Sequence, residues 1–229
     1  MFDLTKTKAV LWDLDDTLYS RTEAARRAFP GMLKELLYID RSDEFIKEAV
    51  DFVLSKAYRS SVTSEDAFSA LVEKYPTDKP YVHSDIVDYY FDHIGEYAEV
   101  YPEQLAVLKK LREIGVKTAM VTNISSERAY AQWKKIDNIG VKALFDTIIF
   151  SGDVGIHKPD RRIFDHAAEL LGVSNDQCVF VGDDPTVDVE GALNADMEVV
   201  WIDNWPYDGR FDKEPKVHRV KSVLEYFVF

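Results

Sequence analysis

The sequence predicts an α/β protein with a doubly wound parallel sheet and an all-helical domain inserted after the first strand. From residue 102 onward, short apolar segments alternate with segments of helical spacing, and this alternation is typical of parallel strands joined by right-handed crossovers. Between residues 20 and 95 every apolar pattern has the helical period, and no strand pattern interrupts it. Sheets of this class bind their ligands at the carboxyl ends of the strands.

Length, composition and charge limit the possible partners. The 229 residues suit one domain or a core domain with an insertion, and a hydrophobic fraction of 46% is ample for a buried core. The net charge is −13 and the basic residues form no cluster longer than a pair, which argues against nucleic-acid binding. No apolar stretch approaches the roughly 20 residues of a membrane span, and no signal-peptide pattern is present. We expect a cytoplasmic monomer or homodimer without a membrane partner, in which Cys178 is a buried apolar residue.

The first predicted strand ends in a cluster of carboxylates. An apolar run at residues 10–12 is followed by Asp13, Asp15 and Asp16. Carboxylates at the end of a buried strand are costly unless a cation, a donor or a proton neutralises them, so the cluster indicates metal binding or acid/base chemistry. Side chains of an extended segment alternate between faces, so Asp13 and Asp15 are expected to point the same way and to meet one substrate.

The insert is predicted to contain four helices. Residues 22–38 carry apolar side chains at helical spacing, although Pro30 and Gly31 are expected to kink or split this helix. The other predicted helices of the insert are residues 42–53, with Ser42 as the N-cap, residues 63–76 and residues 84–94.

The second half of the chain supplies the remaining strands. The predicted elements are, in order, a helix at 102–114, a strand at 116–121, a helix at 125–136, a strand at 147–150, a helix at 161–171, a strand at 178–181, a helix at 187–194 and a strand at 199–202. Ser222 and Glu225 have the spacing of a capping box, which predicts a last short helix within residues 222–229.

Polar residues follow three of these later strands. Thr122 and Asn123 stand at a turn into a helix, where a hydroxyl and backbone N–H groups can donate to an anion. Lys158 stands before Pro159 in a loop with two glycines, so a defined turn is expected to fix its ammonium, while the neighbouring His157 is interpreted as a structural or rim residue. After the strand at 178–181 come three acidic residues: Asp183, Asp184 and Asp188.

Together these residues resemble the four motifs of the haloacid dehalogenase-like (HAD) hydrolases. The chain has D-x-D-x-T at residues 13–17, a threonine at 122, Lys158 followed by proline, and G-D-x-x-x-x-D at residues 182–188. The resemblance covers roughly residues 8–19 and 100–205. It implies a Rossmann-like core domain of residues 1–19 and 97–229 and a helical cap domain of residues 20–96.

The resemblance also implies roles for the motif residues. Asp13 would be the nucleophile that forms an aspartyl-phosphate, and Asp15 would protonate the leaving oxygen and later activate water. Thr122, Asn123 and Lys158 would bind the phosphate, and Lys158 would also balance the charge of the nucleophile.

A magnesium site follows from the same resemblance. The Asp13 carboxylate, the Asp15 backbone carbonyl and Asp183 would form an oxygen-only site that suits Mg²⁺, since the candidates include no His or Cys. Thr17, Asp184 and Asp188 would support this site through contacts with its ligands rather than bind the metal themselves. Asp188 is expected to hold Lys158 or a metal-bound water, while Asp184 could also be an extra metal contact or only a turn residue.

The function implied is a Mg²⁺-dependent phosphatase acting on a small phosphorylated metabolite, such as a nucleotide, flavin mononucleotide or a sugar phosphate. The alternatives are a phosphoglucomutase-like phosphoryl transferase, a haloacid dehalogenase and a non-catalytic metal- or phosphate-binding regulatory protein. The presence of Asp15 argues against the dehalogenase, because dehalogenases of the family that this chain resembles lack the second aspartate of the motif. Six residues either read the leaving group or form a packed or solvated surface: Tyr19, Arg21, Arg26, Arg27, Tyr58 and Arg59.

Overall fold

The computed structural model describes residues 2–35, 42–57, 64–76, 83–204 and 209–229. The chain divides into a core unit, formed by Met1–Ser20 and Val100–Phe229, and a helical unit, Arg21–Glu99. Some predictions cannot be compared with the structure, because their residues lie outside the described part of the chain. These residues are Leu36, Leu37 and Thr63 of the predicted helices, together with Tyr58 and Arg59.

The core unit contains a six-stranded sheet. Its strands are β1 (Ala9–Trp12), β2 (Lys117–Thr122), β3 (Thr147–Phe150), β4 (Cys178–Gly182), β5 (Glu198–Ile202) and β6 (Val217–Val220). The strand order is β3-β2-β1-β4-β5-β6, and every neighbouring pair is parallel. This confirms the doubly wound parallel sheet, because the chain starts at a central strand and builds outward on both sides.

The edge strand β6 is absent from the sequence prediction. Its four residues include His218 and Arg219, so it lacks the apolar run that predicts a buried strand. Parallel pairing with β5 supplies its backbone hydrogen bonds, and Val199 pairs with Val217. Beyond it, Val223–Glu225 forms a 3₁₀ turn with Ser222 and Glu225 in the predicted capping box.

Five helices accompany the sheet in the described part of the core unit: α5 (Pro102–Glu113), α6 (Ala129–Ile139), α7 (Ser151–Val154), α8 (Arg161–Leu171) and α9 (Glu190–Asn194). Two differ from the predictions. The predicted loop after β3 starts as the short helix α7, which ends at Gly155 in the left-handed region. The predicted helix at 187–194 begins as a π-helical turn, Pro185–Val189, before it continues as α9.

The helical unit contains α1 (Arg21–Glu35), α2 (Asp43–Ala57), α3 (Ser64–Lys74) and α4 (His83–His93), followed by a 3₁₀ turn at Ile94–Tyr97. Pro30 and Gly31 were expected to kink or split the first helix, and the split is wrong, since α1 runs through both residues, while the kink stays a prediction. Phe29 and Met32 are buried on either side of the proline, and their packing holds both halves of the helix in place. Ser42 is the predicted N-cap of α2, and its Oγ accepts the Phe45 N–H at 3.4 Å.

The sheet is covered on both faces, so its central strands are buried throughout. All four residues of β1 have no exposed surface, as expected for a parallel sheet between helical layers. Cys178 is buried as predicted, and burial raises the pKa of its thiol to about 12. Across the described residues, the helices are too short or too polar to cross a membrane.

Candidate active site

Three adjacent strands bring the motif residues to one edge of the sheet. Asp13 follows β1, and its N–H donates to the Val181 carbonyl of β4 at 2.9 Å. Thr122 is the last residue of β2, and Asp183 directly follows β4. Since β2, β1 and β4 are neighbours and parallel, these three residues lie at the shared carboxyl edge.

Lys158 lies between two carboxylates at this edge. Its Nζ is 2.6 Å from Asp13 Oδ1 and 2.7 Å from Asp188 Oδ1. All three side chains are buried, and the Lys158 side chain is 1% exposed. Burial acts to lower the pKa of Lys158, but the Asp13 and Asp188 charges outweigh it and hold that pKa above its usual value. The ammonium is therefore a fixed positive charge beside Asp13.

Asp188 also organises the backbone at the end of β4. Its Oδ2 accepts the N–H groups of Asp183 at 3.1 Å and Asp184 at 3.2 Å. The carboxylate comes so close to Gly182 that a Cβ there would lie 2.6 Å from Asp188 Cγ. Glycine is needed at this position because any side chain would displace Asp188, and Lys158 with it.

Burial changes the proton affinity of Asp13. It raises the pKa of the Asp13 carboxyl to about 7, against the opposing effect of Lys158 and with a further rise from the nearby Asp188 charge. A cation bound beside this carboxylate would favour its ionised form.

The carboxylates fit a hard divalent cation. Asp13, Asp183 and Asp188 each offer an oxygen within 4.8 Å of the others. Because both Asp188 oxygens accept hydrogen bonds, from Lys158 and from the Asp183 and Asp184 N–H groups, Asp13 and Asp183 are the better ligands. An oxygen-only donor set without imidazole or thiolate is the set that suits Mg²⁺.

Neighbours on other elements fix the orientation of Asp183. Thr17 Oγ1 donates to Asp183 Oδ1 at 3.5 Å, and Trp201 Nε1 donates to the Asp183 carbonyl at 2.8 Å. Gln104 of α5 donates in turn to the Thr17 carbonyl at 3.2 Å. The predicted supporting residue Thr17 thus contacts a candidate metal ligand directly.

Asn123 contacts the Lys158 loop. Its Nδ2 donates to the Lys158 carbonyl and its Oδ1 accepts the Lys158 N–H, both at 2.9 Å. The side chain therefore fastens the turn that carries the lysine. A phosphate contact from this residue would come from its backbone N–H rather than from its amide.

The two remaining predicted positions lie near the edge of the site. Asp184 Oδ1 accepts the N–H groups of Thr186 and Val187, each at 2.8 Å, which are the contacts of a turn residue at the start of the π-helical turn. Support of the metal site by Asp184 stays a prediction. His157 is exposed, which agrees with its interpretation as a rim residue.

Asp15 has donors that the sequence analysis missed. Lys135 Nζ lies 2.8 Å from Asp15 Oδ1, which the Tyr19 hydroxyl also contacts, and Gln132 Nε2 donates to Asp15 Oδ2 at 3.1 Å. The same Gln132 amide donates to Thr122 Oγ1 at 2.9 Å. Helical spacing indicates that both residues are buried, because Gln132 and Lys135 lie on the buried stripe of α6.

The residues that either read the leaving group or form a packed or solvated surface have several different environments. Tyr19 is fully buried in the core unit and contacts Asp15. Within the helical unit, Arg26 pairs with Asp51 and Arg27 pairs with Glu99. These pairs are those of a helix surface, whereas Tyr58 and Arg59 lie outside the described residues.

The motifs and the fold agree with one family. Residues 7–196 match the haloacid dehalogenase-like hydrolases, and the chain belongs to this family of enzymes. A HAD hydrolase from Bacillus subtilis, YfnB, whose crystal structure was determined with bound magnesium, has the same fold, with a TM-score of 0.77 at 20% identity over 96% of each chain.

Relatives of higher identity have phosphatase names. The glyceraldehyde 3-phosphate phosphatase of Methanopyrus kandleri is 35% identical over 91% of this chain and 88% of its own length. The N-acylneuraminate-9-phosphatase of Mus musculus is 29% identical over 97% of this chain and 93% of its own. The phosphoserine phosphatase of Thermus thermophilus is 38% identical over 55% of this chain and 50% of its own length.

Proposed function

We propose that this HAD hydrolase is a Mg²⁺-dependent phosphatase that cleaves a small phosphomonoester through an aspartyl-phosphate on Asp13. The observation that carries the proposal is the buried arrangement of Asp13, Lys158 and Asp188, with the Asp183 carboxylate beside it. Relatives that match most of the chain have phosphatase names, which supports the same reaction class.

The relatives also narrow the proposed substrate. Glyceraldehyde 3-phosphate, N-acylneuraminate 9-phosphate and phosphoserine all carry their phosphate on a primary alcohol. We assign the same substrate class here, a polar metabolite with a phosphorylated primary alcohol. Nucleotides, flavin mononucleotide and sugar phosphates include members of this class. An alkoxide is a poor leaving group, so such a substrate needs an acid beside the ester oxygen.

Two groups would neutralise charge before the reaction begins. Mg²⁺, held by the Asp13 and Asp183 carboxylates and the Asp15 carbonyl, would offset the negative charge of the phosphate. Lys158 would do the same from the protein side, because its ammonium is fixed 2.6 Å from the nucleophile.

The proposed first step transfers the phosphoryl group to Asp13. Lys158 donates a hydrogen bond to Asp13 Oδ1, so we assign the attack on phosphorus to Oδ2. The new O–P bond forms as the ester P–O bond breaks, Asp15 gives its proton to the departing alkoxide, and Thr122 donates to a phosphoryl oxygen.

The second step regenerates the enzyme. Asp15, now ionised, takes a proton from water, and the resulting hydroxide attacks phosphorus. The bond between phosphorus and the Asp13 oxygen breaks, which releases inorganic phosphate. Asp15 therefore acts in both steps, and its presence disfavours the dehalogenase alternative.

Three further predictions accompany this proposal. The helical unit is proposed to be a cap that contributes to substrate choice. The protein is proposed to be cytoplasmic and to be a monomer or homodimer. Phosphate release with each purified oligomeric form would test the last of these.

Phosphate release from phosphorylated metabolites tests the proposed function. The panel should include the three phosphates in the relatives' names, nucleotides, flavin mononucleotide and sugar phosphates, each with Mg²⁺ or with EDTA. Asp13→Asn should abolish release, while Asp137→Asn, the same change at an exposed position of α6, should not. A protein that releases no phosphate from any compound, or an Asp13→Asn variant as fast as the wild type, would refute the proposal.

A further inference from the structure

Two polar residues stand where α6 is otherwise apolar. The buried face of this helix consists of Ala131, Gln132, Lys135, Ile136 and Ile139. Gln132 is fully buried and Lys135 is 2% exposed. Glutamine and lysine at such positions need partners, because burying an unpaired amide or ammonium is costly.

Both residues find their partner in the same carboxylate. Lys135 Nζ donates to Asp15 Oδ1 at 2.8 Å, and Gln132 Nε2 donates to Asp15 Oδ2 at 3.1 Å. The two donors thus hold the two oxygens of one group, which fixes its rotation as well as its position. Gln132 also donates to Thr122 Oγ1 at 2.9 Å, so one amide joins the proposed acid/base to the proposed phosphate donor.

The arrangement at Gln132 costs stability. Its Oε1 is buried and has no hydrogen-bond partner among the described residues, and a buried acceptor left unpaired costs about 1–3 kcal/mol. The reversed amide is worse, because it would turn Oε1 toward the Asp15 carboxylate and remove the donor. An apolar side chain of similar length would fill the same space without this cost, so packing alone does not account for glutamine here.

We infer that Gln132 and Lys135 are positioning residues that hold Asp15 for proton transfer to the leaving group. The inference rests on the proposed function, because it assigns to Asp15 the acid role in that reaction. Neither residue touches the reacting atoms. They act by fixing both Asp15 oxygens, and Gln132 keeps Asp15 in register with Thr122.

This role makes the effect of a substitution depend on the leaving group. An alkoxide needs the proton that Asp15 gives, whereas a nitrophenolate leaves without one. The kinetic constant kcat/KM reports the steps up to release of the first product, so it isolates this proton transfer from the later attack of water. Misplaced Asp15 should therefore slow an alkyl phosphate much more than an aryl phosphate.

The experiment compares Gln132→Met and Lys135→Met with the wild type on an alkyl phosphate from the panel and on 4-nitrophenyl phosphate. We expect kcat/KM to fall about 10-fold to 100-fold for the alkyl phosphate, and to change much less for the aryl phosphate. Lys134→Met is the matched control, since it makes the same change at the exposed neighbouring position, and it should leave both constants unchanged.

Two further variants separate positioning from packing. Gln132→Glu keeps the size of the side chain but sets a second carboxylate against Asp15, so it should slow the alkyl phosphate more than Gln132→Met does. Lys135→Arg keeps the cation and should recover part of the rate that Lys135→Met loses. Gln132→Met should retain the melting temperature of the wild type, because it removes a buried unpaired acceptor.

The outcomes distinguish this inference from the proposed function. An equal fall for both substrates, or no fall in either methionine variant, would refute the positioning role. If Lys135→Met does not fold, the Gln132→Met and Gln132→Glu pair decides the result. Activity that survives in Asp13→Asn would instead refute the proposed function, whereas loss in Asp13→Asn together with unselective methionine variants would refute the inference alone.

Discussion

The two edges of the sheet use charged residues in different ways. At the carboxyl edge, Lys158 and its partners Asp13 and Asp188 are buried together. At the amino edge, Glu198 starts β5 and accepts hydrogen bonds from His218 at 2.7 Å and Tyr226 at 2.8 Å. Glu198 and His218 are partly exposed while Tyr226 is buried, and the three side chains join the edge strand and the C-terminal turn to the sheet.

Stability and chemistry depend on opposite edges of this sheet. Burial at the carboxyl edge raises the pKa of Asp13, the nearby Asp188 charge raises it further, and both effects cost free energy of folding. The Glu198 cluster instead pairs a carboxylate with donors and stabilises the fold. Substitutions at the carboxyl edge should therefore change activity more than stability, and those at the amino edge should do the reverse.

The largest expected effect is that of Asp13→Asn. Phosphate release should fall at least about a thousandfold, since removing a nucleophile removes the reaction path.

In metal-free protein, burial raises the pKa of Asp13 from 3.8 to about 7, so the wild type should lose stability as the pH rises between these values. Asparagine lacks this titration. Denaturant unfolding at pH 5 and pH 8 should show that the free energy of unfolding of the variant rises relative to that of the wild type at the higher pH. A variant that shows no such gain between pH 5 and pH 8 would contradict the raised pKa of Asp13.

Metal removal should have the next largest effect. EDTA should stop phosphate release and Mg²⁺ should restore it, because the Asp13 and Asp183 oxygens are the proposed ligands. Asp183→Asn should raise the Mg²⁺ concentration for half-maximal activity at least about tenfold. Asp203→Asn is the control, since Asp203 pairs with Arg219 and Lys221 and is not one of the three clustered carboxylates. Equal Mg²⁺ requirements in both variants would argue against Asp183 as a ligand.

A pair of glycine substitutions compares the two edges directly. Gly182→Ala forces a Cβ to within 2.6 Å of Asp188 Cγ, which should cost about 1–3 kcal/mol of unfolding free energy and about a tenfold or greater loss of kcat as Lys158 shifts. Gly115→Ala, before β2 at the amino edge, has open space around the new Cβ but a φ of +75°. It should cost about 1 kcal/mol and leave kcat unchanged. Loss of activity in both variants would contradict the distinction between the carboxyl and amino edges of the sheet.

The smallest expected effect on activity is that of Glu198→Gln. It should lower the free energy of unfolding by about 1 kcal/mol at pH 7 and leave phosphate release unchanged. The hydrogen bond from His218 holds the pKa of Glu198 below its usual value, although burial opposes this. A carboxyl with a lowered folded pKa stabilises above its unfolded pKa, and this contribution is lost as the pH falls through the folded pKa. The difference from the wild type should therefore shrink below about pH 4, and a difference that grows there would contradict the assignment.

The sequence predicted the part of the site that follows strands in short motifs. Asp13, Lys158 and Asp183 each stand within two residues of a strand end or a proline-defined turn, so their positions follow from sheet topology. The strand order itself places them together.

The residues that were missed depend on tertiary contacts. Gln132 and Lys135 stand in no motif, and their helical phase shows only that they are buried, not that they meet Asp15. The edge strand β6 was missed because pairing with β5 overrides its polar composition. Pro30 was expected to kink or split α1, and no split occurs, because packing on both sides of the proline keeps the helix continuous.

Trapping the phosphorylated enzyme would show directly whether Asp13 is the nucleophile. Enzyme mixed with substrate and Mg²⁺ is quenched in acid within one turnover and treated with borohydride, which reduces an acyl phosphate to an alcohol. Peptide mass spectrometry should then find homoserine at position 13. With 4-nitrophenyl phosphate, whose leaving group needs no proton from Asp15, the yield should be larger in Asp15→Asn, where the attack of water is slowed. Aspartate that stays unmodified at position 13 while phosphate is released, or modification at another carboxylate, would contradict the account.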